Sequence, residues 1–172
     1  MTTANESPAP GTDPPGISAP GLHIDPDALE AASTHAIKAT PNETGGILVG
    51  WHDHTTVVVT SMLTVTDKTA GHTHYIRNHQ RAQKVLDAHR QTCGDHRVGY
   101  VGEWHSHPAS QPPSSVDYNA LADLTLETTQ QVALVVLAVH PDNHVTPIGA
   151  TAHRTGREVT ITDVTIERRH HD

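Results

Sequence analysis

Hydrophobic and polar positions change their periodicity several times along the chain, and each change marks a predicted element. Stretches rich in Val, Thr and Ile predict strands at 46–52, 55–65, 98–104, 131–140, 145–154 and 158–167. Apolar residues at three- and four-residue spacing predict helices that begin near Asp25 and that cover 78–93 and 115–130. Strands that alternate with helices indicate an α/β layered domain.

Length and composition indicate one folded unit behind a tail. The 172 residues fit a single domain with its own core. Phe is absent and aromatic residues make up 3% of the chain, so the core must be aliphatic. Residues 1–21 are rich in Pro, Ala, Gly, Ser and Thr, which predicts a disordered N-terminal tail. The folded domain is therefore expected over 22–172.

Charge and cysteine content narrow the function classes. The net charge of −8 argues against a nucleic-acid surface and leaves no basic patch for a membrane. The longest apolar run, 132–139, is far shorter than a transmembrane helix. Cys93 has no partner for an internal disulfide, and the N-terminus lacks the pattern of a signal peptide. A cytoplasmic location is therefore expected.

Two histidines carry the first chemical signal. His105 and His107 follow a strand-like run, where residues two apart point to the same side, so both imidazoles should face one point. With 16 His in 172 residues, chance placement gives about 1.5 His-x-His triplets. Two further triplets occur at 52–54 and 72–74. The pair alone is therefore weak evidence for a metal site.

The residues after the pair strengthen the signal. A Pro/Ser loop leads to Ser114 and Asp117, which open an apolar-periodic segment with the spacing of a helix N-cap and first turn. A helix start is also a rigid place from which a carboxylate can reach an ion. Two imidazoles and one carboxylate hold Zn²⁺ with its fourth position left for water, as in catalytic sites. One Zn²⁺ per chain is therefore predicted on His105, His107 and Asp117.

A family resemblance follows from these residues. His105-Ser106-His107-Pro108 and the later Ser114-x-x-Asp117 resemble the signature of the JAMM zinc metalloproteases, also called MPN+ or JAB, in their prokaryotic branch. The segment 41–50 is similar to the family's glycine-rich first strand, with Glu43 in the place of its glutamate. The resemblance covers about residues 22–168. It implies a cytidine-deaminase-like fold, with a curved mixed β-sheet sandwiched by helices.

One spacing departs from the family pattern. The interval between His107 and Asp117 is one residue shorter than usual, and the loop 109–113 is where such a deletion is tolerated. The ligands are therefore expected to survive the change. Ser115 is the alternative to Ser114 if the register slides.

The resemblance also implies catalytic roles. Glu43 would take a proton from the attacking water and pass it to the leaving amine, and Ser114 would stabilise the oxyanion. Glu103 is the rival base, because it lies two residues before His105 and spacing does not exclude it. A glutamate fixed beside the ligands on their own strand is poorly placed to orient water, which favours Glu43. Trp104 is expected in the core or in the wall of the site.

The function that the resemblance implies is that of a zinc metalloprotease or isopeptidase. The protein substrate would be a ubiquitin-like or sulfur-carrier protein, cleaved at its C-terminal tail and bound as an extended strand beside an exposed sheet edge. A catalytically silent scaffold of the same fold and a general zinc peptidase are the alternatives. A deaminase of the related fold is disfavoured, because its Pro-Cys-x-x-Cys element is missing from a chain with one cysteine.

Overall fold

Three helices and one mixed sheet make up the part of the chain that the structure, a computed structural model, describes: residues 19–66 and 78–170. In chain order the elements are β1 (Gly21–Ile24), α1 (Pro26–Ala39), β2 (Gly45–Asp53), β3 (Thr56–Thr64), α2 (His79–Thr92), β4 (Gly99–His107), α3 (Ser115–Leu126), β5 (Val132–Val139), β6 (Val145–Thr155), β7 (Glu158–Val164) and β8 (Ile166–Arg168). The strand order is β7-β6-β5-β4-β2-β3-β1-β8. β1 is parallel to β3 and to β8, and β4 is parallel to β5. The other neighbouring strands are antiparallel.

The two ends of the sheet curl toward each other. Only Thr165 separates β7 from β8, yet these strands lie at opposite edges of the sheet, and β8 also contacts β6. Gly149 of β6 permits this approach, because a Cβ there would lie 2.9 Å from side-chain atoms of both Leu22 and Ile166. The sheet is therefore almost a closed barrel.

Helices cover both faces of the curved sheet. α1 contacts β3 and β5 and fills the inner face, whereas α2 and α3 pack on the outer face. The buried apolar residues of the three helices are, in turn, Leu29, Ala32 and Ala36; Ala82 and Leu86; and Leu121. The predicted α/β fold with a curved mixed sheet between helices is confirmed, and its core is aliphatic apart from the fully buried Trp104.

A bulge in β4 decides which side chains reach the outer face. Register with β2 shifts between Leu48 and Val49, which pair with Gly102 and Tyr100. Gly102 is required at this point, because a Cβ would lie 2.0 Å from the carbonyl oxygen of Ala133. After the bulge, strand alternation turns Trp104 into the inner core, as predicted, and the two histidines outward.

Some element boundaries differ from the predicted ones. α3 ends at Leu126 rather than near residue 130, because the Thr128 hydroxyl accepts a hydrogen bond from the Gln130 N–H (3.1 Å) in place of helical pairing. The predicted strand over 158–167 is split into β7 and β8. β1 was not predicted and begins at Gly21, the last residue of the predicted tail. Residues 1–18 of that tail lie outside the described residues.

Among the described residues, none of the helices combines the length and the apolar character that a membrane crossing requires.

Candidate metal centre

The end of β4 places two imidazoles side by side. The Nε2 atoms of His105 and His107 lie 3.1 Å apart, with the ring planes tilted by 49°. Gly45 of the neighbouring β2 leaves room for them, because a Cβ at this position would lie 2.4 Å from the Trp104 carbonyl oxygen and 2.9 Å from the His105 Cβ. The glycine-rich start of β2 therefore has a steric role beside the histidines.

The first turn of α3 brings a carboxylate to the same point. Asp117 Oδ1 lies 3.1 Å from His105 Nε2, and Oδ2 lies 3.6 Å from His107 Nε2. Ser114 is the N-cap of α3, and both its N–H (2.5 Å) and its hydroxyl (2.7 Å) donate to Asp117 Oδ2. The Asp117 N–H in turn donates to the Ser114 Oγ (3.3 Å). This capping box fixes the orientation of the carboxylate and confirms the predicted helix start.

The loop between β4 and α3 determines which nitrogen of His107 faces the centre. His107 Nδ1 lies 3.0 Å from the Gln111 carbonyl oxygen, which can only accept, so Nδ1 carries the proton in the neutral ring. Nε2 is then left with its lone pair toward His105 and Asp117. The loop itself is held to the end of β5, because the Ser110 N–H donates to the Val139 carbonyl at 3.2 Å.

The three groups fit a small tetrahedral cation. Ligand atoms at about 2.0–2.1 Å from a tetrahedral Zn²⁺ are roughly 3.3 Å apart. The two nitrogens lie 3.1 Å apart, and the nearest carboxylate oxygens of Asp117 lie 3.1 Å from His105 Nε2 (Oδ1) and 3.6 Å from His107 Nε2 (Oδ2). The side chains of His105, His107 and Asp117 are 13%, 11% and 14% exposed, so they are sheltered yet reachable from solvent. The donor set is one that could hold a metal ion.

Electrostatics keep the carboxylate ionised. Burial alone would raise the pKa of Asp117, but hydrogen bonds from His105 and from the Ser114 N–H and hydroxyl outweigh it. The pKa of Asp117 is therefore held well below its ordinary value, and the group offers a negative charge to a cation at any pH where imidazoles are neutral.

Glu43 reaches the same region from the segment before β2. Gly45 pairs with His105, and Thr44 exchanges hydrogen bonds with Ser106. Continuing this antiparallel register by one residue sets Glu43 opposite His107, where opposed residues share a face of the sheet. Glu43 is only 8% exposed.

The rival glutamate lies elsewhere on the same face. Glu103 lines a small cavity of about 40 Å³ together with His105 and Asp117, and its Oε1 accepts a hydrogen bond from the Tyr100 hydroxyl at 3.3 Å. Both glutamates therefore belong to the neighbourhood of the centre, on opposite sides of the histidines along the sheet.

The other His-x-His triplets do not form such a centre in the described residues. His52 Nε2 is paired with the Gln131 carbonyl oxygen (2.7 Å), and the His54 ring contacts the exposed Asp53. The triplet at 72–74 lies outside the described residues. Asp25, Asp27 and His170 also come together, but Asp25 is occupied as the N-cap of α1.

A groove of about 350 Å³ runs between α2 and α3 on the outer face. Its floor is apolar, and polar side chains line its rim. The lining residues are Ile47, Ala82, Leu86, Tyr100 and Leu124 with His79, Gln83, Glu127 and Thr128. Leu124 also lines the small cavity beside His105 and Asp117, so the groove and this cavity adjoin at one side chain.

Two contributors to the centre were missed in the sequence. The Gln111 carbonyl orients His107, but a main-chain atom leaves no trace in residue identity. Ser106 bonds the segment that carries Glu43, and its only signal was its place between two residues that must face outward. Strand alternation could have assigned Ser106 to the opposite face.

Comparisons with known proteins found similarities in sequence and in fold. Residues 25–154 match the family described as prokaryotic homologues of the JAB domain. A protein of Enterobacter hormaechei subsp. hoffmannii named CD-NTase/cGAS isopeptidase is 30% identical over 120 residues, which are 67% of this chain and 64% of that protein. The chain thus matches less than two thirds of this relative's length. The solution structure of protein DSY2949 from Desulfitobacterium hafniense is similar in fold, with a TM-score of 0.60 at 18% identity over 88% of this chain and 99% of that one.

Proposed function

The chain belongs to the prokaryotic homologues of the JAB domain, and on this premise we propose that it is a zinc-dependent isopeptidase. The observation that carries the proposal is the convergence of His105 Nε2, His107 Nε2 and the Asp117 carboxylate, whose Oδ1 is nearest to His105 and whose Oδ2 is nearest to His107, at separations close to those around one tetrahedral ion. The named isopeptidase among the relatives supports the reaction class. His105, His107 and Asp117 would hold one Zn²⁺ per chain.

The residues of the chain supply the remaining chemistry. A bound zinc ion acts as a Lewis acid and makes water a nucleophile near neutral pH. Glu43, buried and opposite His107 in the extended register, would accept a proton at its carboxylate from the attacking water and would deliver it to the nitrogen of the departing amine. Ser114 offers its hydroxyl to the oxygen that becomes negative at the attacked carbonyl carbon, for which it must release the Asp117 carboxylate.

The substrate we propose is the C-terminal tail of a ubiquitin-like or sulfur-carrier protein, in a peptide or isopeptide bond. An edge-strand mode of binding is not favoured at the centre, because β4 lies between β2 and β5, and the sheet edges in the described residues are β7 and β8. The groove between α2 and α3 adjoins the cavity beside the centre at Leu124 and would receive an extended tail instead.

The name of the Enterobacter protein suggests the class of target. A nucleotidyltransferase of the CD-NTase/cGAS type, joined to a modifier through an isopeptide bond, is the conjugate to examine first. The reaction would take place in the cytoplasm. The chain suits a reducing compartment, because Cys93 is unpaired and none of the proposed metal ligands is a thiolate.

The test is cleavage of defined conjugates by the zinc-loaded protein. Ubiquitin-fold and sulfur-carrier proteins that end in glycine are joined to a lysine ε-amine, to an α-amine, or to a CD-NTase-type enzyme, and unfolded casein is the control. Cleavage after the terminal glycine, abolished by a chelator and restored by Zn²⁺, is the expected result. Equal cleavage of casein indicates a general peptidase, and zinc binding without any hydrolysis indicates a silent scaffold.

A further inference from the structure

We propose that Ser106, the residue between the two histidines, is a positioning residue that holds Glu43 beside the centre. The inference rests on the proposed function, because it assigns Ser106 a task in the delivery of the catalytic base. Ser106 is 1% exposed and, by strand alternation, points to the inner face, away from His105 and His107. It therefore has no access to a substrate, and any effect on turnover must pass through other residues.

The contact that carries the proposal joins Ser106 to Thr44 at two points. The Ser106 N–H donates to the Thr44 carbonyl oxygen at 2.7 Å, and the Thr44 N–H donates to the Ser106 Oγ at 3.0 Å. Thr44 precedes β2, which begins at Gly45. The hydroxyl thus supplies an acceptor that extends the pairing of this chain segment with β4 by one residue beyond the strand.

The two hydrogen bonds between Ser106 and Thr44, called the clamp below, matter because Glu43 directly precedes Thr44 in the chain. Glu43 is the next residue toward the N-terminus and is buried, whereas Pro41 and Asn42 before it are exposed. Packing therefore does little to hold the connection from α1 at these two positions. The clamp to Ser106 fixes the backbone one residue from Glu43 and, on β4, one residue from both histidines. It links the position of the base to that of the metal ligands.

The energetic expectation follows from the precision that catalysis requires. A displacement of a catalytic group by about 1 Å can cost on the order of 10²-fold in rate. Loss of the hydroxyl leaves the part-buried Thr44 N–H without its acceptor, which favours movement of the segment. The ligands on β4 keep their own backbone pairing with β2 and β5, so zinc binding should persist.

The first experiment uses a pair of variants matched in shape. Thr and Val have nearly the same shape, with a hydroxyl in Thr where Val has a methyl. Ser106→Thr and Ser106→Val therefore add nearly the same side-chain volume to the inner face. With zinc-loaded protein and the glycine-tail conjugate that the wild type cleaves, Ser106→Thr should stay within about threefold of wild-type kcat. Ser106→Val and Ser106→Ala should lose about 10- to 100-fold in kcat at unchanged KM and zinc content. Equal kcat for Thr and Val, or zinc lost from Ser106→Ala, overturns the proposal.

The second experiment asks whether the effect passes through Glu43. In single-turnover assays Ser106→Ala should change the rate less than twofold when Glu43→Gln is already present, because residues that act as a unit are not additive. The same loss in both backgrounds contradicts the proposal. Amide exchange at Thr44, which should accelerate in Ser106→Ala and Ser106→Val but not in Ser106→Thr, tests the clamp without any assay of activity. Full activity of Glu43→Gln alone would instead refute the proposed base, whatever the exchange data show.

Discussion

At the scale of the residue, hydrogen bonds decide which atom of each candidate ligand faces the centre, because the partner of each bond occupies the other atom of that side chain. His107 can present Nε2 because the Gln111 carbonyl takes the Nδ1 proton, and Asp117 can present Oδ1 because Ser114 takes Oδ2. Such supporting contacts keep metal ligands oriented in the absence of the ion. The centre is therefore expected to lose little entropy when a cation binds.

The first prediction concerns metal content. We expect one Zn²⁺ per chain, lost in His105→Ala and in His107→Ala and weakened in Asp117→Ala, because each change removes a donor. His52→Ala is the matched control, since His52 contacts the Gln131 carbonyl instead. Zinc affinity should fall at acid pH as protons compete for the imidazoles. Elemental analysis after dialysis measures it, and loss of zinc from His52→Ala would show that the wrong triplet was chosen.

The second prediction separates the base from its rival. Glu43→Gln should retain zinc, because it removes no ligand, and lose 10²- to 10⁴-fold in kcat because general acid–base catalysis is removed. Glu103→Gln should retain zinc and most of its turnover. Zinc content and kcat are measured for both variants on one conjugate. A dead Glu103→Gln with a fully active Glu43→Gln would reverse the assignment.

The candidate metal ligands could be predicted from the sequence, whereas the contacts that orient them could not. Spacing alone pointed to His105, His107 and Asp117, because strand alternation and helix capping are local properties. The position of Glu43 came only from the family resemblance, since its neighbour on β4 lies about sixty residues away and pairing across the sheet is not local. The contacts of Ser106 and Gln111 depend on that same long-range register.

At the scale of the element, α3 is anchored at its start to the far edge of the sheet. The Tyr118 hydroxyl donates to Asp163 Oδ1 of β7 at 2.8 Å. Burial, this hydrogen bond and the nearby charges of Asp163 and Asp117 raise the pKa of Tyr118 to about 12. The helix that carries Asp117 is therefore tied to β7 as well as to β5 and β6.

The third prediction follows from the sign of this shift. A phenol whose pKa is higher in the folded state favours folding fully below its unfolded pKa of about 10, and this contribution is lost as pH rises toward 12. Tyr118→Phe should lower the free energy of unfolding by about 1 kcal/mol at pH 8. The gap between the two proteins should close between pH 10 and 12. Urea unfolding across this range measures it, and a constant gap would contradict the anchor.

The fourth prediction concerns the groove between α2 and α3. Gln83 lies on its rim, whereas the neighbouring Lys84 is exposed and does not line it. Gln83→Trp should raise KM for a glycine-tail conjugate several-fold at unchanged zinc content, because the indole would occupy the path of the tail. Lys84→Trp, which adds the same bulk outside the groove, should leave KM unchanged. Equal KM values for the two variants would place the tail elsewhere.

The elements themselves were largely predictable from local pattern, and the exceptions have physical causes. β1 covers only Gly21–Ile24, too short for periodicity to register, and its place is set by parallel pairing with β3 and β8. The division of β7 from β8 at Thr165 is likewise set by two partners at opposite edges of the sheet. Neither feature is encoded in neighbouring residues.

At the scale of the whole molecule, the near-closure of the sheet brings β1 and β8, from opposite ends of the described chain, into contact with β6. Leu22 and Ile166 meet over Gly149, and Leu22 belongs to the same core as α1 and Trp104. Strands far apart in sequence thus share one inner core, which links the stability of the edges to that of the centre's own strand β4.

The fifth prediction tests this closure. Gly149→Ala places a Cβ 2.9 Å from atoms of Leu22 and Ile166 and should cost about 1–3 kcal/mol of unfolding free energy through overpacking. Gly99→Ala on β4 is the matched control, because a Cβ there meets no atom within 4 Å, and should change stability little. Chemical denaturation of both variants provides the comparison. Equal stability of the two would mean that the ends of the sheet separate at little cost.

The capping box at the start of α3 has a consequence for the identity of the ion. Because Asp117 Oδ2 already accepts from the Ser114 N–H and hydroxyl, the carboxylate is restrained from chelating through both oxygens. With two nitrogens and a single oxygen on offer, the pocket suits a borderline, low-coordinate cation and disfavours Ca²⁺, which seeks six to eight oxygens. The hydrogen bonds that cap α3 would thus also restrict Asp117 to a single ligand oxygen, and in this way they would influence which metal ion binds.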